Sequence, residues 1–458
     1  MARQNIDLKL DFVLNHASVQ SPQFQDLLEN GSQSEYRDFF IDWNAFWENC
    51  GEMTEDGYIQ PAQKYLDPMF FRKPGLPLLM VEMADGSRIP YWNTFYQEIR
   101  DTDDYHTRYL GQMDLNIKSE KVWDFYRETI KKLAGYGAKI IRLDAFAYAP
   151  KAPGRANFLN EPETWEFLEQ IHKLAKPYGI RLLPEIHAGY KEKKYELIAQ
   201  KGYLTYDFFL PGLILDALYR GDGTYLEQWA KEQIKENIHT VNMLGCHDGI
   251  PVLDLAGLLP DDRIEDLIRL LVDRGGFVKD LHGNKKMYYQ VNTTYYNALG
   301  ENEQALLLAR ALQIFMPGKP QVWYLDLFAG SNDYEAVKRA GAGGHKEINR
   351  TNFTQKDIES GLKKEVVKKQ LEMLKFRKEF PAFGFDAEME IRTKPAAQIS
   401  DQAENALHFE KIPDEQMYNR IYITWKKDGY LARLSADLKA HTYRIQALDP
   451  SGNLIWQM

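Results

Sequence analysis

Cysteine is nearly absent: the chain of 458 residues has two, Cys50 and Cys246, and no CxxC pair. Two thiols cannot build a disulfide framework and no spacing suggests zinc, so a reducing cytoplasm is the expected compartment. Long apolar runs are also missing. No stretch approaches the roughly 18 uninterrupted apolar residues of a membrane-spanning helix, and the N-terminus lacks the apolar core of a signal peptide. Basic charge is in deficit: 57 Lys and Arg against 66 Asp and Glu give a formal charge of -9, which leaves no footprint for nucleic acid. Repeats and low-complexity tracts are absent too. What is left is an ordinary globular enzyme whose partner is small and locally recognised.

What the chain does have is a series of short β-type runs ending in carboxylates. Ile140-Ile141-Arg142-Leu143-Asp144 reads as a strand buried on both faces, with polar groups at its C-terminal end. A helix-sized interval later, Ile180-Arg181-Leu182-Leu183-Pro184-Glu185 delivers a second acid, and Thr240-Val241-Asn242-Met243-Leu244 leads into Gly245-Cys246-His247-Asp248. Barrel enzymes keep their chemistry at such strand ends. Between the runs lie helical patterns at 118–136, 161–175, 191–201, 212–235, 261–274, 302–315 and 363–379. In the first of these Trp123, Tyr126, Ile130 and Leu133 share a face, and in the second Trp165, Leu168, Ile171 and Leu174 do.

Strand candidates near Leu10, Ile141, Leu182, Thr205, Val241 and Trp323, the last as residues 321–325, number six where a closed (β/α)8 barrel needs eight. The predicted fold is therefore α/β, a TIM (β/α)8-type barrel lacking its first two β/α units. Residues 1–47 start the barrel at its third strand, with a helical, aromatic pattern at 24–47, and residues 117–380 hold its remainder. Residues 48–116, irregular and rich in Pro, Gly, Tyr and Phe, read as a small inserted domain, because a structureless loop of that length is uncommon in a compact fold. Residues 381–458 alternate at 388–393, 406–412, 420–426, 430–434, 442–448 and 454–458, the pattern of a C-terminal antiparallel β domain.

Taken together, the motifs resemble the α-amylase superfamily, glycoside hydrolase family 13. Asp11 to His16 (DFVLNH), Arg142-Leu143-Asp144-Ala145, Glu185-Ile186-His187 and His247-Asp248 resemble its four signatures in order, and Gln112-Met113-Asp114-Leu115-Asn116 its extra motif. Within it the chain is similar to the sucrose phosphorylase group, through RLDAFAY at 142–148, YDFFLP at 206–211, HDGI at 247–250, YQVNTTYYNALG at 289–300 and Ile348-Asn349-Arg350.

The resemblance implies Asp144 as nucleophile, Glu185 as acid/base and Asp248 as the third carboxylate, holding sugar hydroxyls. Retaining glycosidases need two carboxyl groups about 5–5.5 Å apart, and Arg142, two residues before Asp144, is expected to keep the nucleophile ionised. For a lone strand-end Asp, a helix cap or ion pair is the usual role; three acids at matching strand ends favour catalysis. His16 and His247 are implied to fix glucosyl hydroxyls, with Tyr148, Phe95 and His187 lining the glucosyl and acceptor sides. Arg350 and His187 are candidate phosphate donors beside Tyr289 and Gln290, with a surface ion pair as the plain alternative for Arg350. Cys246 reads as a small buried hydrophobe.

Arg72 and Lys73, together with Lys285 and Lys286, put extra positive charge where the group has a more acidic loop. A solvated loop explains the second pair equally well. That charge points to an anionic acceptor, with glycerate favoured, as in glucosylglycerate phosphorylases, and glycerol, fructose and fructose 6-phosphate behind it. The expected activity is phosphorolysis to α-glucose 1-phosphate, with sucrose, sucrose 6-phosphate or glucosylglycerol as other donors. A retaining α-glucosidase and an inactive sugar-binding fragment are the competing classes. Inorganic phosphate is the expected co-substrate, with no nucleotide, flavin or metal; the expected partners are small molecules, with a homodimer left open. Gly341 to Lys346 (GAGGHK) is glycine-rich but lacks the preceding strand and following Ser/Thr of a phosphate-binding P-loop.

Overall fold

The computed structural model describes residues 7–71, 75–95, 97–100, 107–280, 288–341, 344–393 and 419–458. The chain separates into two compact units, Met1–Ile186 and His187–Met458. No helix among the described residues is long and apolar enough to cross a membrane.

The first unit is built on a three-stranded parallel sheet with Ala138–Asp144 between Leu8–Val13 and Arg181–Pro184. Ile140, Ile141, Arg142 and Leu143 are all buried, so both faces of the central strand are covered, as expected for a parallel sheet. The register pairs Asp11 with Arg142 and Val13 with Asp144, and sets Leu143 against Pro184, so the acids emerge together at the C-terminal edge. Two helices follow the predicted rhythm, Glu120–Gly135 and Glu163–Ala175. On the second, Thr164, Phe167, Leu168, Ile171 and Ala175 form the buried face, and Trp165 and Leu174 sit at its margins rather than in its centre.

Residues 24–47 are less helical than their pattern predicts. A helix spans Pro22–Asn30 and stops at Gly31, whose φ of 50° ends the helical run; only Trp43–Phe46 is helical beyond a short 3-10 turn. The aromatic residues there serve packing. Trp43, Trp47 and Trp92 are fully buried with ring centroids 4.9 to 5.9 Å apart, contacts worth about 0.5–1.5 kcal/mol each beyond area burial. The stretch after residue 48 forms short antiparallel pairs, Gly51–Met53 with Ile59–Pro61, Leu78–Glu82 with Arg88–Trp92, and Gln97–Arg100 with Thr107–Leu110.

The second unit contains another three-stranded parallel sheet, Thr205–Asp207, Thr240–Asn242 and Lys319–Pro320, with the middle one central. The last strand thus lies just before the predicted 321–325. Gln321 N–H still donates to Asn242 O at 2.8 Å, but the chain then turns into a short helix, Tyr324–Leu327, and Trp323 Nε1 donates to Asn349 O. An apolar run of five cannot by itself distinguish strand from buried turn. The single helix predicted at 212–235 is two, Leu210–Arg220 and Thr224–Lys235, parted at Gly221 with φ 69°. The helices Asp261–Asp273, Glu303–Phe315 and Glu365–Glu379 match their patterns.

Past residue 387 the alternating segments form a five-stranded antiparallel sheet in sequential order, Glu388–Arg392, Arg420–Lys427, Tyr430–Asp437, Thr442–Leu448 and Leu454–Gln457. The segment 406–412 lies outside the described residues. Its inward residues Ile421, Ile423, Leu434 and Ile445 join the apolar core of this unit, and Trp425 Nε1 donates to Phe315 O at 2.8 Å.

Candidate active site

At the strand edge of the first unit, three acids surround one guanidinium. Arg142 reaches Asp11 Oδ2 through Nη1 at 2.9 Å, and through Nη2 it reaches Glu185 Oε2 at 2.5 Å and Asp144 Oδ1 at 3.2 Å. Asp144 and Glu185 are thus brought together on the same nitrogen, Arg142 Nη2. Burial first, then the hydrogen bond and charge of Glu185, push Asp144 up to about 7, and Arg142 only partly opposes this.

The expectation that Arg142 keeps Asp144 ionised is corrected here. One guanidinium is divided among three acids and lies nearest to Glu185, so it cannot stabilise every charge. The pair titrates as a unit and retains one proton near neutrality. Glu185 is the more buried partner, its side chain 11% exposed against 31% for Asp144.

The backbone turns sharply beyond Asp144. Ala145, directly after Asp144, has φ 53°, an uncommon conformation for a non-glycine residue, and turns the chain sharply into the 3-10 helix Phe146–Tyr148. Three of the candidate residues lie in contact: His16 and Phe95 have ring centroids 4.9 Å apart, and Phe95 meets Tyr148 edge-on at 5.2 Å. The His16 imidazole is held below its ordinary range by burial, with Asp114 opposing and Lys151 assisting.

The second unit carries the Gly245–Asp248 loop. Asn349 Nδ2 donates to Cys246 O at 2.9 Å and to Asp248 O at 2.8 Å, and Arg350 Nε donates to His247 O at 2.8 Å. Asp326 Oδ2 accepts from Gly245 N at 2.8 Å, and a Cβ at Gly245 would lie 2.9 Å from both Asp326 oxygens, so only glycine permits this approach. Asp248 is held by charge: Lys346 Nζ lies 2.8 Å and Arg350 Nη2 3.7 Å from Oδ1, and His247 Nε2 lies 3.4 Å from Oδ2. Arg350 Nη1 also reaches Glu347 at 3.4 Å. A guanidinium has five N–H donors, so these contacts leave capacity for a ligand.

Gln290 is buried on the Tyr288–Asn292 strand, which pairs with Ile250–Pro251 immediately after the loop. The side chain of Tyr289, and Arg72 and Lys73 entirely, lie outside the described residues. His187 stacks on Phe208 with centroids 4.0 Å apart, and its Nδ1 lies 3.5 Å from the buried Asp254. In the YDFFLP stretch, Asp207 is a structural acid: it accepts from Trp229 Nε1 at 3.0 Å and Leu210 N at 2.9 Å, and burial raises it to about 6.

Among the described residues, Cys246, His247 and Asp248 place three ligand-type atoms within 4.8 Å of one another. The two cations on Asp248 oppose a metal ion there. Sequence reasoning missed Lys346, Asp254, Asp326 and Asp11 as partners of the site. Asp11 could have been found, because parallel registry sets it opposite Arg142. Lys346 was weighed only as the end of a phosphate loop, and nothing local ties Asp254 or Asp326 to residues 67 and 81 positions away.

Comparison with known proteins shows the family. The profile of the family described as "Alpha amylase, catalytic domain" matches residues 1–248. The chain is 52% identical over 449 residues to a sucrose 6(F)-phosphate phosphorylase of Ilumatobacter coccineus, covering 96% of this chain and 81% of that one. It superposes on the crystal structure of sucrose 6F-phosphate phosphorylase from Thermoanaerobacter thermosaccharolyticum with a TM-score of 0.81 at 34% identity, covering 100% of this chain and 83% of that one. A glucosylglycerate phosphorylase of Spirochaeta thermophila is 26% identical over 411 residues, 86% of this chain and 64% of that one, so the preference for glycerate gains no support. The chain belongs to the α-amylase family, glycoside hydrolase family 13, with its α/β, TIM-barrel-type fold, and is an enzyme of the hexosyl-transferring, sucrose phosphorylase-type group.

Proposed function

We propose that the protein is a retaining α-glucoside phosphorylase whose donor is sucrose phosphorylated on its fructosyl unit. The observation that carries the chemistry is the approach of Asp144 and Glu185 to one nitrogen, Arg142 Nη2, at 3.2 and 2.5 Å. Carboxylates that meet on one nitrogen are too close to admit the water an inverting enzyme places between them, where separations of roughly 6.5–9.5 Å are needed.

In the first half-reaction Asp144 attacks the anomeric carbon as the glycosidic bond breaks, and Glu185 gives its proton to the leaving oxygen of fructose 6-phosphate. In the second, inorganic phosphate attacks the glucosyl–Asp144 ester, Glu185 receives the proton, and α-glucose 1-phosphate leaves with Asp144 free. Two inversions retain the α configuration. Arg142 balances the charge that moves between the two carboxyls. His16, Phe95 and Tyr148 are read as the glucosyl wall, and His247 and Asp248 as holders of sugar hydroxyls. His187, Arg350, Tyr289 and Gln290 are read as serving the phosphate, and Arg72 and Lys73 the charged acceptor.

Support for a phosphorylated acceptor comes from the 52% identity to a sucrose 6(F)-phosphate phosphorylase and from the cationic sequence at Arg72 and Lys73. Phosphate release from α-glucose 1-phosphate, with fructose 6-phosphate, fructose, glycerate and glycerol offered separately, tests it. Release is expected with fructose 6-phosphate and is expected to vanish in Asp144→Ala. Release with glycerate alone would overturn the acceptor, and production of free glucose irrespective of acceptor would indicate a hydrolase.

A further inference from the structure

Lys151 is fully buried, and so is its partner Asp114, their side chains 0% exposed. An ammonium has three N–H donors. All three find oxygen: Asp114 Oδ2 at 2.7 Å, Asn15 Oδ1 at 2.8 Å and the backbone carbonyl of Tyr148. Asp114 in turn accepts from Thr94 N at 2.9 Å, Thr94 Oγ1 at 2.6 Å and Asn15 Nδ2 at 3.0 Å. Trp92 covers the ammonium with its ring centroid 5.7 Å from Nζ.

Each segment tied by this pair carries one member of the aromatic wall. Asn15 precedes His16, Thr94 precedes Phe95, and Tyr148 contributes its own carbonyl. His16 and Asp114 are also opposite residues in the short antiparallel pairing of His16–Ser18 with Gln112–Asp114. We infer that Lys151 is a positioning residue for the sugar-binding wall, its buried ion pair with Asp114 fixing His16, Phe95 and Tyr148 relative to one another.

A buried ion pair is poor value as a stabiliser, because desolvation cancels most of its attraction and apolar replacements often do as well. It does supply direction. Three segments distant in sequence are held by short, charge-assisted bonds, which fix geometry as well as adding energy. A displacement of about 1 Å in a substrate-positioning group costs on the order of 10²-fold in rate. The inference rests on the reading of these three side chains as the glucosyl wall.

The test compares the wild type with Lys151→Met and with the double variant Lys151→Met/Asp114→Asn, which leaves no unpaired buried charge. Three quantities are read: melting temperature, binding of α-glucose 1-phosphate by calorimetry, and titration of the His16 imidazole by NMR. The double variant is expected to fold and melt close to the wild type but to bind α-glucose 1-phosphate roughly 10–100-fold more weakly. In Lys151→Met, if it folds, His16 is expected to titrate at higher pH than in the wild type, since the opposing cation is gone and Asp114 remains. In the double variant that shift is expected to diminish with the carboxylate removed. A folded double variant with wild-type affinity would overturn the inference, as would a His16 titration unmoved in both variants. If the wild type binds α-glucose 1-phosphate but catalyses no phosphorolysis, the functional reading fails alone, and affinity and titration still decide the role of Lys151.

Discussion

At the residue scale, the proposed mechanism ties both rate and pH dependence to the Asp144–Glu185 pair. Loss of the pair's proton removes the general acid, so kcat/KM is expected to fall as pH rises above about 7, where Asp144 is placed. Glu185→Gln should cost roughly 10²–10⁴-fold in kcat and abolish that alkaline limb; a limb unchanged in the variant would assign it to another group. Stability carries the same sign. A carboxyl raised in the folded state binds its proton more tightly there than when unfolded, so its contribution is present at low pH and lost as pH rises toward 7. Asp144→Asn is accordingly expected to melt higher than the wild type at pH 8 and to show little difference at pH 4.

Lys346 is a second residue-scale case. Its ammonium is 2.8 Å from Asp248, and Lys346→Met should lower kcat/KM about 10–100-fold, from the ~1.5–3 kcal/mol of a hydrogen bond to a charged group, with Lys346→Arg restoring most of it. Equal kcat/KM in Lys346→Met would leave Asp248 held by Arg350 and His247 alone. Nothing in GAGGHK announces this contact, because it joins residues 98 positions apart.

At the scale of elements, the legible parts were those with a strong period. The Ala138–Asp144 strand and the helix Glu120–Gly135 follow from a doubly buried apolar run and a 3.6-residue repeat. The C-terminal sheet was legible for the same reason, its strands Arg420–Lys427 and Tyr430–Asp437 alternating inward and outward over most of their length. What failed was short or aromatic: residues 24–47 look helical because large apolar residues recur, yet Phe39 and Phe40 pack edge-on within turns. The Gly245 loop depends on an element that periodicity did not predict, the short helix Tyr324–Leu327 bearing Asp326. Burial raises Asp326 to about 6, so its contribution to stability is present at acid pH and lost as pH rises through that value. Asp326→Asn should flatten that dependence and keep an acceptor for the Gly245 N–H. Gly245→Ala should destabilise by about 1–3 kcal/mol, because the new methyl must displace Asp326. A melting curve for Gly245→Ala matching the wild type would show that the loop can move away freely.

At the scale of the whole molecule, the family was legible because motifs survive in order even where individual strands are misjudged: Asp144 ends one strand of a parallel sheet, Glu185 directly follows a second, and Asp248 lies a few residues past a third. The acceptor was less legible. Positive charge in a loop fits any anion, and glycerate and a sugar phosphate differ in shape more than in sign, which charge counting cannot resolve. The most direct measurement is proton NMR of the products formed from sucrose 6F-phosphate and inorganic phosphate. The α anomer of glucose 1-phosphate, appearing in step with fructose 6-phosphate and absent in Asp144→Ala, is the predicted result. Free glucose, or the β anomer of the sugar phosphate, would contradict a retaining phosphorylase.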